Sequence, residues 1–151
     1  FTDLQNITIE TNCTQPFKAD FQRFLQGLVA GDYTKKPVHI TWSTSPKLSI
    51  SGEHWAKAIK GDVAQQYANI PNSHLYFKFV IQDEQDLEEV EMAREEYKKF
   101  GVEADIYLMA VGATVEGQGK TSKQVADLAM KNGYKFSPRL HVDLFGNKWG
   151  T

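Results

Sequence analysis

Four stretches rich in β-branched and aromatic residues constrain most strongly what this chain can fold into. Each has the length and composition of a buried strand, and each is followed by a segment whose apolar residues have helical spacing. Regular alternation of strand and helix predicts an α/β fold built on a parallel sheet or a barrel segment, here with four parallel strand–helix units. The predicted strands are Asn6–Asn12, Val38–Trp42, Leu75–Ile81 and Asp105–Val111, and the predicted helices are Pro16–Ala30, Glu53–Ala68, Asp83–Phe100 and Thr121–Asn132.

Polar residues follow the predicted strands at the point where each strand ends. After Val38–Trp42 come three hydroxyl residues, a proline and a lysine, in the order Ser43-Thr44-Ser45-Pro46-Lys47. The carboxyl ends of parallel strands open onto the crevice in which α/β proteins bind their ligands. We therefore expect the tails of the four strands to meet at one rim and to form a ligand site there.

Composition narrows the class of protein. The chain has 151 residues, of which 41% are hydrophobic and 24% are charged, as expected of a single globular domain over 1–151. A net charge of −2 provides no basic surface for nucleic acid, and no apolar run approaches the ~20 residues of a membrane span. The one cysteine, Cys13, excludes an internal disulfide and is compatible with a reducing, cytoplasmic location.

The last part of the chain has a different pattern. Apolar and polar residues alternate over Arg139–Leu144, which predicts an extended, half-buried carboxyl-terminal segment. The polar face of this segment carries His141, which either contacts a substrate or lies at a solvated edge. None of the four histidines is spaced from another, or from Cys13, as metal ligands are, so no metal site is predicted.

The segment Gly117–Thr121 lies between the fourth predicted strand and the last helix and resembles the end of a phosphate-binding loop. A complete loop of that kind has a glycine five residues before the Gly-Lys pair, so that the backbone can wrap a phosphate. Here that position is Thr114. Two interpretations remain: a nucleotide-binding α/β module, or a flexible glycine loop that starts a helix.

Three groups of residues carry a more specific signal: Glu10-Thr11-Asn12-Cys13-Thr14, Ser43-Thr44-Ser45-Pro46-Lys47, and Arg139-Leu140-His141-Val142-Asp143-Leu144-Phe145-Gly146-Asn147 with Trp149-Gly150-Thr151. In this combination and order the chain resembles the 7-carboxy-7-deazaguanine synthases, a radical S-adenosylmethionine family of queuosine and deazapurine biosynthesis. The resemblance covers essentially the whole chain but only the later part of the family's sequence. It implies the carboxyl-terminal part of a partial barrel like that of triosephosphate isomerase.

The resemblance also implies an activity and its cofactors. The family converts 6-carboxy-5,6,7,8-tetrahydropterin to 7-carboxy-7-deazaguanine with loss of ammonia, using S-adenosylmethionine, a four-iron four-sulfur cluster and magnesium. Electron transfer from the cluster cleaves S-adenosylmethionine to a 5′-deoxyadenosyl radical, which abstracts hydrogen from the substrate. The protein supplies position and excludes water, while the cofactors carry the difficult chemistry.

Matched position by position, the resemblance implies a substrate site and a cofactor site, and it assigns no catalytic residue to this chain. Thr11 falls where the family contacts the pterin, and Thr151 supplies the terminal carboxylate that reaches the substrate. Cys13 stands where the family has a glycine whose backbone meets S-adenosylmethionine. The other positions implied to contact this cofactor are Ser45, Pro46, Lys47, Met109, Ala110, Val111 and Gly112. Ordinary turn chemistry is the alternative interpretation of these residues.

The chain lacks two features of the family's sequence. The family's three cluster cysteines and its Gly-Gly-Glu-Pro segment are missing, and one cysteine cannot supply three thiolates. We therefore expect a portion of the enzyme that lacks the cluster-binding part and is inactive alone. A nucleotide-binding module through Gly117–Thr121 and a non-catalytic binding domain are the alternatives. Because a partial barrel leaves an unpaired edge strand, we also expect a homodimer that covers it.

Overall fold

The computed structural model describes residues 3–112 and 115–146, without the side chains of Val115, Gln118, Lys120 and His141. Within these ranges five strands alternate with six α-helices. The strands are β1 Asn6–Thr11, β2 His39–Thr44, β3 Ser73–Ile81, β4 Asp105–Ala110 and β5 Lys135–Phe136. The helices are α1 Ala19–Ala30, α2 Trp55–Ala58, α3 Gly61–Ala68, α4 Glu84–Lys99, α5 Val115–Lys131 and α6 Leu140–Phe145, with a 3-10 turn at Ser49–Ser51. Among these helices none combines the length and the apolar character that crossing a membrane requires.

The five strands form one sheet in the order of the chain, β1-β2-β3-β4-β5, and every neighbouring pair is parallel. The α/β fold predicted from the sequence, with a parallel sheet interleaved with helices, is therefore confirmed. Parallel strands that are neighbours in both sequence and space are joined by right-handed crossovers, which place the connecting helices on the same face. The sheet therefore has a covered face and an uncovered one.

Alternating burial along the strands identifies the covered face. Its buried strand residues include Ile40, Trp42, Leu75, Phe77, Phe79, Ile81, Ile106 and Leu108. They form one core with buried helix residues such as Leu25 of α1, Tyr67 of α3, Val90 of α4 and Val125 of α5. The residues between them in sequence point to the other side, here called the open face: Thr8, Glu10, Thr41, Ser43, Tyr76, Lys78, Tyr107, Met109 and Lys135.

Helix α4 shows how local sequence signals place an element. The Asp83 carboxylate caps its start by accepting the N–H groups of Gln85 and Asp86 at 3.0 and 3.3 Å. Gly101 follows its end with φ of +73°, a conformation that costs glycine nothing because it has no Cβ. The helix predicted over Asp83–Phe100 and its stop at Gly101 are both confirmed.

One prediction about the last part of the chain is wrong, and one short strand there is missed. The alternation over Arg139–Leu144 does not mark an extended segment, because Leu140–Phe145 is helix α6, in which Val142 is buried and Leu140 is exposed. Over six residues, apolar positions two and four apart fit a helix as well as a strand, so periodicity alone does not decide. The sequence pattern also predicts no strand at β5, since two residues carry no periodic signal.

Candidate functional site

The tails of the strands meet at one edge of the sheet. Thr11 ends β1, Ser45 follows the end of β2, and Gly112 follows the end of β4. The Ser45 N–H donates to the Thr11 carbonyl oxygen at 2.7 Å, so the pairing of β1 with β2 continues into their tails. Because all three are carboxyl ends of parallel strands, they lie along the same edge, over about 14 Å or three strand spacings. The expected rim is present, and the ligand contacts assigned to it remain predictions.

The tail of β1 folds over the core beside it. The Thr11 hydroxyl accepts the Cys13 N–H at 3.1 Å, and the Tyr67 hydroxyl donates to the Gln15 carbonyl oxygen at 2.9 Å. Cys13 has φ of +58°, in the left-handed region, and its side chain is fully buried. Burial raises the pKa of the Cys13 thiol to about 12, with a further contribution from the Asp62 carboxylate. The thiol therefore belongs to the core, and the residue as a whole is buried, so the contact between its backbone and a cofactor stays a prediction.

The Ser45–Lys47 loop borders a cleft of about 470 Å³ at the same edge. Ser45 is half-buried, Pro46 is buried, and Lys47 is exposed and lines the cleft. Its other lining residues are Asn12, Thr14, Gln15, Glu53, Lys57, Ala58 and Lys60. A polar cleft with several ammonium groups suits a ligand that carries acidic and hydrogen-bonding groups.

The tail of β4 is held in place by residues that follow it in sequence. The Thr121 hydroxyl donates to the Val111 carbonyl oxygen at 2.9 Å, and Arg139 Nη1 donates to the Gly112 carbonyl oxygen at 3.0 Å. Burial lowers the pKa of Arg139. Gly112 has φ of +132°, a conformation that residues with a Cβ rarely adopt. These contacts order the tail at the rim.

The open face carries a polar network that sequence reasoning does not single out. Lys78 Nζ lies 2.9 Å from Glu10 Oε1, and the Ser43 hydroxyl lies 3.5 Å from the same oxygen. Glu10 is level with Ser43 in the pairing of β1 with β2. The network therefore lies toward the carboxyl edge of the sheet, next to the rim. Alternation within each strand places these side chains on the open face, but the register that joins them is not visible in the sequence.

Two tyrosine rings lie beside this network on the open face. The ring centroids of Tyr76 and Tyr107 are 5.1 Å apart. Lys78, Tyr107 and Lys135 are level in β3, β4 and β5, and Lys135 Nζ lies 5.2 Å from the centroid of the Tyr107 ring. Met109 is on this face as well, whereas Ala110 is buried on the covered face. Aromatic rings beside ammonium groups suit a flat, negatively charged ligand.

Comparison with known proteins identifies the relatives of this chain. The chain is 32% identical over 110 residues to the 7-carboxy-7-deazaguanine synthase of Pyrobaculum aerophilum, which covers 72% of this chain and 45% of that protein. It is 34% identical over 123 residues to the 7-carboxy-7-deazaguanine synthase of Halobacterium salinarum, with 70% of this chain and 48% of that protein covered. This chain is a homologue of the 7-carboxy-7-deazaguanine synthases. The resemblance inferred from the sequence is confirmed.

The homology covers only part of the related proteins. The chain spans about half the length of the 7-carboxy-7-deazaguanine synthases that it matches. No protein-family model matches it, and no solved structure matches it significantly. Two residues predicted to contact the substrate, Thr151 from the resemblance and His141 from the polar face of its segment, are not placed, because Thr151 and the side chain of His141 lie outside the described residues.

The segment Gly117–Thr121 does not form the loop that the sequence predicts. It lies within α5, which begins at Val115, so both glycines and Lys120 are already helical. A phosphate-binding loop wraps its backbone around the phosphate before the helix begins. The flexible glycine loop is therefore wrong, and a nucleotide-binding module loses the loop on which it depends.

The described residues do not fit the iron–sulfur cluster implied for a 7-carboxy-7-deazaguanine synthase. No three His, Cys, Asp or Glu side chains within the described ranges are grouped to hold a metal ion. The cluster requires thiolate ligands, while Cys13 is the one cysteine of the sequence and is fully buried. No step through the cluster or a magnesium ion can be assigned to these residues.

Proposed function

We propose that this chain forms the ligand-facing wall of a radical S-adenosylmethionine enzyme that converts 6-carboxy-5,6,7,8-tetrahydropterin to 7-carboxy-7-deazaguanine. Homology to the 7-carboxy-7-deazaguanine synthases supports the enzyme family. The observation that carries the proposal is the open face, a polar side of a parallel sheet that ends at the rim formed by the β1, β2 and β4 tails. Ligands of α/β proteins bind beyond the carboxyl ends of parallel strands.

The proposal interprets the sheet as part of a barrel. Parallel strands in consecutive order, with their helices on one face, are the arrangement from which a barrel is built. In that interpretation the open face is the interior wall, and the covered face is the outside of the barrel. The iron–sulfur cluster is assigned to another part of the enzyme, because three thiolates cannot come from one cysteine. Pairing of two chains at the exposed edge of β1 is a further part of this proposal.

The residues at the rim divide into two proposed roles. Ser45 and Lys47 bind S-adenosylmethionine from the β2 tail, while the backbone of Gly112 approaches it from the β4 tail. Thr11 contacts the pterin at the end of β1. When bound, the cofactor supplies the radical chemistry. The contribution of this chain is to orient the two ligands and to keep water away from the space between them.

Incubation of the chain with iron, sulfide, dithionite and S-adenosylmethionine is expected to produce no 5′-deoxyadenosine above the protein-free background. The physical reason is that the chain has one cysteine, with its thiol buried in the core, and so cannot hold the cluster. Liquid chromatography with mass spectrometry measures the product. Formation of 5′-deoxyadenosine well above background would show that the chain assembles a cluster by itself.

The chain is expected to bind 6-carboxypterin, the oxidised analogue of the substrate, on the open face. Titration should raise the fluorescence anisotropy of the pterin to a plateau. In the ¹⁵N-labelled chain, the amide signals of Thr11, Ser43 and Ser45 should shift, whereas those of Val90 and Ala93 in α4, on the covered side, should stay in place. Shifts concentrated in α4, or no saturation up to about 1 mM ligand, would contradict the proposed function.

A further inference from the structure

The ammonium group of Lys78 occupies an unusual position for a charged side chain. Lys78 lies in the central strand β3, yet its Nζ is 2.9 Å from a carboxylate that belongs to β1. Strands β1 and β3 are two spacings apart, about 10 Å, so the lysine side chain extends across β2 to reach Glu10. Ser43, which is level with Glu10 in the intervening strand, is only 1% exposed although it faces away from the helices.

The two members of this ion pair differ in their exposure. The Lys78 side chain is 19% exposed, whereas the Glu10 side chain is 76% exposed. In the other ion pairs within the described residues, the cationic side chain is at least half exposed, for example 69% in Lys99–Glu96 and 50% in Lys135–Asp105. Removing an ammonium from water is costly unless anionic acceptors surround it. Lys78 is thus a largely desolvated cation whose described anionic partner is itself mostly in water.

The surroundings of Lys78 indicate what further acceptor it could take. An ammonium has three N–H donors, and the described contact with Glu10 uses one of them. Tyr107 is level with Lys78 in the adjacent strand, and its ring lies 5.1 Å from that of Tyr76. A flat ring that lies against these tyrosines would bring a carboxylate substituent to the ammonium at the rim side of the sheet.

We propose that Lys78 is the residue that recognises the carboxylate of the bound ligand, and that Glu10 holds its ammonium in place until the ligand arrives. This inference rests on the proposed function and specifies one contact within it. The ligand carboxylate has two possible sources, the pterin acid and the methionine part of S-adenosylmethionine. Both present the same group to the ammonium, so the experiment must separate them.

Binding of two matched ligand pairs to wild-type chain and to Lys78→Met tests this proposal. The first pair is 6-carboxypterin and pterin, and the second is S-adenosylhomocysteine and 5′-methylthioadenosine; in each pair the second compound lacks the carboxylate. We expect Lys78→Met to lower the affinity for one carboxylated ligand by about tenfold or more. The affinity for the matched compound without the carboxylate should fall by less than about twofold. Lys99→Met, in an exposed ion pair of α4, is the matched control and should leave all four affinities unchanged.

A second variant gives an opposite expectation. Glu10→Gln removes the anion that competes for the ammonium. It should therefore raise the affinity for the carboxylated ligand whose affinity Lys78→Met lowers. Since Glu10 is mostly exposed, this variant should keep the fold even if Lys78→Met does not, and far-UV circular dichroism checks both. Weaker binding of every ligand to Glu10→Gln would assign recognition to Glu10 instead and overturn the proposal.

The remaining outcomes separate this inference from the proposed function. If the carboxylated ligands bind the wild-type chain and Lys78→Met behaves like Lys99→Met, the role of Lys78 is wrong and the proposed function stands. If none of the four compounds binds the wild-type chain, the proposed function fails and the inference fails with it. Selective loss of 6-carboxypterin identifies the pterin as the source of the carboxylate, and selective loss of S-adenosylhomocysteine identifies the cofactor.

Discussion

Iodoacetamide at pH 8 is expected to alkylate Cys13 about 1,000-fold more slowly in the folded chain than in the chain unfolded by urea. The reacting species is the thiolate, and burial raises the pKa of Cys13 from 9.0 to about 12. The thiolate fraction at this pH therefore falls from roughly one in ten to roughly one in ten thousand. The sulfur is also fully buried, which slows alkylation of the folded chain further. Intact-mass spectrometry over time measures both rates.

A surface thiol provides the control for this experiment. Gln26 is exposed on α1, so the double variant Cys13→Ala, Gln26→Cys should react at nearly the same rate with and without urea. Rapid labelling of Cys13 in the folded chain would contradict its placement in the core. It would instead place the thiol at the rim.

The same pKa shift predicts a loss of stability in alkali. The unfolded thiol ionises above about pH 9, while the native thiol keeps its proton up to about pH 12, so the unfolded state binds fewer protons in this range. The free energy of unfolding should therefore decrease as the pH rises from 9 toward 12. Burial also raises the pKa of Tyr67 and of Tyr97, so these two tyrosines lower the free energy of unfolding as well, at higher pH. The decrease should be smaller in Cys13→Ala, and urea unfolding at several pH values measures the difference.

Replacement of Trp42 by alanine is expected to lower the free energy of unfolding by about 3–5 kcal/mol. Trp42 lies in the central part of the sheet and is only 1% exposed. Its ring centroid is 5.4 Å from that of Phe17 and 4.8 Å from that of Tyr67, so it joins the β1 tail to α3. The loss is a large part of the roughly 5–15 kcal/mol by which domains are usually stable. Urea unfolding followed by far-UV circular dichroism provides the measurement.

The conservative variant Trp42→Phe separates lost packing from other effects. The indole Nε1 has no hydrogen-bond partner among the described residues, so removing it leaves no acceptor unpaired there. Trp42→Phe should cost less than the alanine variant, because the phenyl ring keeps most of the filled volume and leaves a smaller cavity. Equal losses in the two variants would mean that the indole group itself, rather than the filled volume, stabilises the core.

The consequences of Trp42→Ala should reach the rim as well. The Tyr67 hydroxyl donates to the Gln15 carbonyl oxygen at 2.9 Å, and the Tyr67 ring is stacked on Phe17 at 4.4 Å. These contacts hold the tail that contains Thr11 and Cys13 against the core. A cavity at Trp42 removes support from both rings, which connects core packing with the proposed ligand site.

Strong local signals account for the parts of the fold that the sequence predicts correctly. Helix α4 has an aspartate cap, a stripe of buried residues at helical spacing and a glycine stop, and its predicted limits agree with the structure. The errors fall where such signals are short or contradictory. Helix α6 has six residues, β5 has two, and the glycines of Gly117–Thr121 are weak helix formers that α5 nevertheless includes.

The candidate site also has one part that the sequence predicts and one part that it does not. The rim is predictable because parallel strands all end at one edge, so Thr11 and Ser45 had to lie near each other once their strands were recognised. Burial of Cys13 is what its residue type favours, because a free cysteine behaves as a small hydrophobic residue, but the left-handed conformation that turns the thiol toward the core was not predictable. Spacing along the chain contains no information about that turn.

The amino-acid sequence by itself determined the parallel α/β architecture, the edge at which polar tails collect and the kinship with 7-carboxy-7-deazaguanine synthases. Those properties follow from apolar periodicity, from strand-end composition and from short groups of residues in order. Only the tertiary structure decided that Glu10 and Lys78, 68 positions apart, form one ion pair on the open face. Their contact depends on the registers of β1 with β2 and of β2 with β3, which are set by packing between elements rather than by either strand alone.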